Sequence, residues 1–143
     1  MQSIEIRCRS LLAPQSEPEL PVVALDILDH DITAAELIRR TVEEQIRELL
    51  VSYRLDAAQA QRALNRLYLI EQEIQAQEAG GRIRYAPLQI DSAVEVRRAQ
   101  RAFEQGAYLL VVDGRRVQRL DERLTFRPGC RVTFLRLTPL IGG

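Results

Sequence analysis

The sequence predicts an α+β fold in which a mixed sheet packs one face on helix, in the order ββαβββ. Three observations lead there. The chain opens on two β-type segments, its middle carries capped and amphipathic helical segments, and its last third returns to short strands separated by Asp-Gly and Pro-Gly turns.

Residues 3–12 alternate, with Ile4, Ile6 and Cys8 on one face and Glu5, Arg7 and Arg9 on the other. Period two is the mark of a half-buried strand. Residues 13–21, APQSEPELP, carry three prolines and read as a loop. Residues 22–28 are mostly apolar and form a second strand, antiparallel to the first across a long turn. Thr33 and Glu36 in TAAE have capping-box spacing, which starts a helix. Ala35, Ile38, Val42, Leu49 and Tyr53 follow at helical spacing, and Leu37 with Ile46 widen the stripe. Asp56 caps a second helix whose stripe runs through Ala60, Ala63, Leu64, Leu67, Ile70 and Ile74 until Gly80-Gly81 ends it. A turn near Arg54 and Leu55 makes an antiparallel helical hairpin. No glycine or proline enforces it, so one long bent helix is the alternative. The stripe is expected to pack on the preceding helix.

Residues 82–88 are irregular around Pro87. Ser92 and Glu95 form a second capping box, opening a helix to about Gln105 that Gly106 stops. Residues 108–112 are a continuous apolar run, a buried strand. Asp113-Gly114 is a two-residue hairpin turn, and residues 115–118 are the return strand. Leu120 and Leu124 sit in a connecting segment, and Pro128-Gly129 makes another turn. Residues 131–137 are the last strand, with Val132 and Phe134 on one face and Leu135 and Leu137 on the other. Setting aside one or two helices leaves ββαβββ, with the first and last strands parallel neighbours at the centre. Cys8 and Cys130 then serve as small core hydrophobes.

The 143 residues are enough for a single domain, 1–143. Charged residues make up 28% and hydrophobic ones 46%, a soluble globular profile, and the net charge is zero, which points to neither a nucleic-acid nor a membrane partner. No apolar run is long enough to span a bilayer, and MQSIEIRCRSLL is charged and lacks a cleavage site, so a cytoplasmic location is expected. Two cysteines do not make a disulfide framework. All twenty basic residues are arginine and none is lysine. A GC-rich coding sequence or the exclusion of amine nucleophiles would each produce that.

The last third, YLLVVDGRRVQRLDERLTFRPGCRVTFLRLTPLIGG, resembles the end of a ubiquitin-like β-grasp protein: buried strand, DG turn, return strand, PG turn, final strand and a diglycine tail. It is also similar to the sulfur carriers of thiamin and molybdopterin synthesis. With the N-terminal hairpin and the helix capped at Thr33, the likeness covers about two thirds of the chain. It implies a ubiquitin-like β-grasp with residues 54–105 as a helical insertion and 138–143 as an extended tail. Such an insertion is similar to what bacterial ubiquitin-like proteins carry when encoded beside their own activating and conjugating enzymes, some of them in antiviral defence operons.

That resemblance implies a protein that is not itself an enzyme and has no catalytic residue, metal or cofactor of its own. Its last carboxylate, on Gly143 after Gly142, would be adenylated with ATP by a partner's activating enzyme, carried as a thioester and joined by a conjugating enzyme to an amine of a target protein. A processing or deconjugating peptidase completes the implied partners. Glycines let a narrow channel close on the tail. Pro139 holds Thr138 extended. Leu137, Leu140 and Ile141 give the partner an apolar handle, and Leu135 with Arg136 form the expected recognition surface. The tail stretch 137–141 lacks the arginine that ubiquitin carries there, which implies a different activating enzyme. A sulfur carrier forming a thiocarboxylate on Gly143 is one alternative, and a β-grasp assembly subunit that is never activated is the other.

Three remaining signals read as structural. His30 between Asp29 and Asp31 is a polar loop rather than a metal site, because no second histidine or cysteine lies nearby. Arg39-Arg40, Arg97-Arg98 and Arg115-Arg116 are interspersed with acids, as solvated faces are. The insertion's second helical face could support self-association.

Overall fold

A computed structural model describes residues 2–10, 22–27, 31–68, 90–127 and 129–136. In chain order the elements are β1 (Gln2–Ser10), β2 (Val23–Ile27), β3 (Asp31–Thr33), α1 (Ala34–Arg47), α2 (Ala57–Tyr68), α3 (Ser92–Glu104), β4 (Tyr108–Val112), β5 (Arg115–Val117), β6 (Arg123–Thr125) and β7 (Arg131–Arg136). The architecture is mixed α+β.

Five strands form one sheet in the order β2-β1-β7-β4-β5. β1 and β7 are parallel, with Ile6 opposite Val132 and Cys8 opposite Phe134, and every other neighbouring pair is antiparallel. The first and last strands therefore meet in parallel, as expected, and the helices make the crossover that a parallel pair requires. Alternation decides which face is buried. Val132, Phe134 and Arg136 of β7 and Tyr108, Leu110 and Val112 of β4 turn inward. They meet Leu37, Ile38 and Val42 of α1 and Ala99, Ala102 and Phe103 of α3 in one core. Burying one such large side chain stabilises by about 1.5–3 kcal/mol. Tyr108 stacks on Phe134 with ring centroids 5.4 Å apart, and its hydroxyl donates to the Ala99 carbonyl at 2.6 Å. A buried phenol needs that acceptor.

Two segments read as connections are in fact strands. Asp31–Thr33 and Arg123–Thr125 pair antiparallel as a separate two-stranded sheet. Three residues are too few for an alternation pattern to register. The pairing has a second effect, at the start of α1. The Ala34 and Ala35 N–H groups donate to the Glu122 and Leu120 carbonyls, both at 2.9 Å, while the Thr33 hydroxyl accepts from the Glu36 N–H. Donors that a helix start leaves unsatisfied are thus met by a distant loop. Only half of the expected capping box forms, because the Glu36 carboxylate turns to Arg39 and Arg40.

α1 does not run on as one bent helix. It widens into a π turn over Glu48–Ser52, and Arg54 adopts the left-handed conformation at φ +53°. The Leu55 N–H returns to the Leu49 carbonyl at 3.0 Å. Asp56 then caps α2 reciprocally with Gln59: the Gln59 N–H donates to the Asp56 carboxylate, and the Asp56 N–H to the Gln59 side chain. α2 packs chiefly on α3 and next on the π turn that closes the preceding helix, so the packing the sequence suggests is met in part. The latter half of its predicted stripe, Ile70 and Ile74, and the Gly80-Gly81 stop lie outside the described residues.

α3 also begins differently. Its cap is Asp91, whose carboxylate accepts from the Ala93 and Val94 N–H groups, so Ser92 is already helical. Glu95 is no capping-box partner. Its side chain turns into the α2–α3 contact and is 3% exposed. The helix stops at Gly106 as expected: at φ +75° that residue lets the Ala107 N–H reach back to the Ala102 carbonyl at 2.9 Å.

Candidate functional site at the exit of the last strand

The resemblance leads one to expect a reactive end just after β7, so the geometry to inspect is where β7 lies and where it stops. β7 is the middle strand of the sheet, hydrogen-bonded on both sides, which fixes its position more firmly than an edge strand's. Its last residue, Arg136, sits opposite Ser10, the end of β1, and Tyr108, the start of β4. β7 therefore ends between two strands. Gly142, Gly143, Leu137, Thr138, Pro139, Leu140 and Ile141 lie outside the described residues, as does His30.

Leu135 and Arg136, grouped by sequence as one surface, fall on opposite faces. Arg136 belongs to the helix-facing side and is 7% exposed, buried with Val132 and Phe134. Period-two alternation puts it there, and its long aliphatic stem makes the placement affordable. Arg136 is thus part of the core at the exit and not part of an outer recognition surface. Leu135 is on the outer face and half-buried.

The strand register assembles that outer face row by row. Arg7, Thr133, Val111 and Arg116 lie across β1, β7, β4 and β5 in one row. Arg9, Leu135 and Leu109 form the next row toward the exit. Leu109, Val111, Thr133 and Leu135 are all half-buried, while Arg7 and Arg116 are exposed. The result is an apolar strip with an arginine position at its margins. A shallow cleft of about 480 Å³ opens beside it at the same end of the sheet, with Phe103, Tyr108, Val117 and Leu120 in its walls and Arg116 and Arg119 at its rim. Arg119 is paired with Asp121 at 3.1 Å.

The titratable groups do not converge on this place. Cys130 is buried at the far end of β7, in the turn where its N–H donates to the Arg127 carbonyl. Burial, with the Asp113 carboxylate beside it, pushes its thiol up to about 11. A thiol so held is a core residue and a poor nucleophile, in line with the expectation for Cys130. The Cys8 side chain is outside the description. The Asp113 carboxylate accepts from the Arg131 N–H at 2.8 Å and is lowered by that bond. Among the described residues no group of three or more His, Cys, Asp or Glu is arranged to hold a metal.

Besides Arg136, sequence reading missed a buried charge at Glu95. The Glu95 carboxylate accepts from Gln61 Nε2 at 2.9 Å and lies 3.3 Å from the Arg98 guanidinium. Burial raises its pKa, while Gln61 and Arg98 oppose the shift and Asp91 adds to it. The signal was present, since Asp91 stands one residue before the supposed cap, but the pair S-x-x-E has the same spacing either way.

Among the described residues no helix is long and apolar enough to cross a membrane. The chain matches no protein-family model, no curated protein and no solved structure.

Proposed function

We propose that this chain is a protein modifier of the ubiquitin-like β-grasp class, whose C-terminal glycine is activated by a partner and transferred to an amine of a target protein. The observation that carries the reading is the position of β7. It is the central strand, parallel to β1, and its last described residue stands at the sheet end immediately before LTPLIGG. A firmly held strand followed by a short apolar and glycine-terminated segment suits a carboxylate that must enter another protein's active site. Gly142 and Gly143 leave room for the enclosing backbone, and Pro139 lowers the entropy lost when the segment is ordered there. The nucleophiles and bases belong to the partners: an adenylating enzyme that uses ATP, a conjugating enzyme, and a peptidase that processes or removes the modifier. Leu135, with Leu109 and Val111 beside it, offers those partners an apolar surface on the face turned away from α1 and α3.

The test is incubation with ATP and an adenylating enzyme of the ubiquitin-activating type, followed by intact mass. Thioester formation on the enzyme, or a protein adduct through Gly143, supports the reading. Exchange of one oxygen for sulfur identifies a sulfur carrier instead. An unchanged mass assigns the chain to a non-conjugated assembly role.

A further inference from the structure

We propose that the end of the sheet where β7 begins is a docking surface for an acidic segment of a partner protein, held by the guanidinium groups of Arg115, Arg116, Arg127 and Arg131. The proposal rests on the placement of two turns and is independent of the modifier reading above.

The two turns lie side by side. Asp113-Gly114 joins β4 to β5, and residues 127–130 lead into β7. They are tied twice: the Asp113 N–H donates to the Arg131 carbonyl and the Arg131 N–H to the Asp113 carboxylate, both at 2.8 Å. The Cys130 N–H closes the second turn on the Arg127 carbonyl at 2.9 Å. Arg115 and Arg116 thus stand beside one turn, while Arg127 and Arg131 bracket the other. All four are exposed. The space over the turns is open, since a β-carbon at Gly114 or Gly129 would meet no described atom within 4 Å. β4 separates β5 from β7, so the arginines are spread over about 10 Å.

This end carries more positive charge than it neutralises. Residues 108–136 hold seven arginines and three acids, in a chain of zero net charge. The acids nearest in sequence to Arg115 and Arg116 turn elsewhere: Asp121 pairs with Arg119, and the Glu122 carboxylate accepts from the Gln118 N–H. Glu5, opposite Arg131 in the register, lies 3.9 Å from Arg7. Asp31 accepts from the Thr125 hydroxyl. Asp113 stands among the four, and its carboxylate is already bonded to the Arg131 N–H. Among the described residues none of the four guanidinium groups is in an ion pair, whereas Arg39, Arg40 and Arg47 of α1 each have a glutamate partner. A guanidinium takes a carboxylate bidentately, and four of them over such a spread suit a run of carboxylates better than one small anion. An extended segment crosses that spread in about three residues. A nucleic-acid strand would call for aromatic faces beneath its bases, and neither turn supplies one: Phe126, next to Arg127, is buried. The zero net charge also gives no long-range pull on a polyanion.

The experiment titrates the 143-residue protein into a fluorescein-labelled glutamate-rich peptide of about eight residues and reads polarisation at low salt and at about 0.15 M salt. The same peptide with glutamine in place of glutamate, and a labelled oligothymidine, serve as the other probes. The glutamate peptide is expected to bind, more weakly as salt rises, and the glutamine peptide to stay free. Amide shifts should move at Gly114, Arg115, Gly129 and Arg131 of the wild type. The double variant Arg116→Glu with Arg131→Glu is expected to bind about tenfold more weakly or worse. Arg62→Glu with Arg97→Glu makes the same change in net charge at exposed positions of α2 and α3, and should bind as wild type. All four substituted side chains are exposed, and matching thermal melts confirm that both variants fold. A glutamate peptide that does not bind, equal losses in the two variants, or amide shifts centred away from the two turns overturns the proposal. Tighter binding of oligothymidine than of the glutamate peptide also overturns it and assigns the surface to nucleic acid.

Discussion

α1 and α2 are amphipathic helices of similar length, yet they are held in different ways. α1 sets Ala34, Leu37, Ile38 and Val42 into the core with no exposure, against the sheet and α3. α2 contributes Ala60 and Leu64 to that core and adds one polar tie, Gln61 to Glu95. An acid on α1 and the acid on α3 that ties down α2 are also shifted in opposite directions. Glu36 on α1 is partly exposed, and hydrogen bonds from Arg39, with Arg40 second, hold its carboxyl down at about 2. Glu95, which anchors α2, is pushed up because burial outweighs its partners. The contrast predicts that α1 and the sheet open together, whereas α2 opens separately.

The strongest way to break this comparison is to cut both sides equally. Phe134→Ala removes a fully buried ring stacked on Tyr108 in the central strand. It should cost about 3–5 kcal/mol, seen as a lower denaturation midpoint for every amide together. Leu64→Ala should cost about 2–3 kcal/mol within the usual range for buried leucine. Its effect should appear in hydrogen exchange as faster opening of α2 while β4 and β7 keep their protection. Uniform loss across the protein would make α2 part of the main body.

Capping effects come next. Asp91→Ala removes the carboxylate that accepts from Ala93 and Val94. Thermal melts should show a loss of about 1 kcal/mol. Ser92→Ala should change little, although the sequence pattern assigns the cap to Ser92.

The pH profiles then sharpen the contrast. Glu36 has a folded pKa below its unfolded one, so its contribution is present above about pH 4.3 and is lost as pH falls toward 2. Glu95 has a folded pKa above its unfolded one, so its contribution is complete below about pH 4.3 and is lost as pH rises through the folded value. Glu36→Gln should flatten the acid limb of stability, and Glu95→Gln should flatten the opposite slope and report in α2. Urea midpoints measured from pH 2 to 8 would check both. Identical profiles for the two variants would erase the distinction.

The smallest effect lies at the junction. Arg54 sits at φ +53° with its side chain exposed, so Arg54→Gly removes an unfavourable backbone conformation. A gain of about 0.5 kcal/mol is expected after the entropic cost of glycine in the unfolded chain. A loss would mean that the arginine side chain holds the turn.

The exit of β7 shows how far the residues could be read in advance. Period two in 131–137 placed Val132 and Phe134 inward correctly, and the same rule applied to Arg136 puts it inward too. Its charge suggested the surface instead, and the alternation prevailed because an arginine can bury its stem beside Tyr108 in the adjoining strand. The Asp-Gly and Gly106 turns were legible because their backbone requirements are local: Asp113, Gly114 and Gly106 all take positive φ. The β3–β6 pair was not, because each strand has three residues and neither has a reason to exist without the other.

What the residues determine alone is what depends on near neighbours: the strand alternation, the helix stripes, the glycine turns, and the absence of lysine. Tertiary structure decided which helix α2 leans on, which side Glu95 faces, who caps the start of α1, and that β1 and β7 run parallel so that the head of one lies far from the exit of the other. Those outcomes turn on competition between contacts distant in sequence, where burial of area and satisfaction of backbone donors outweigh any local preference.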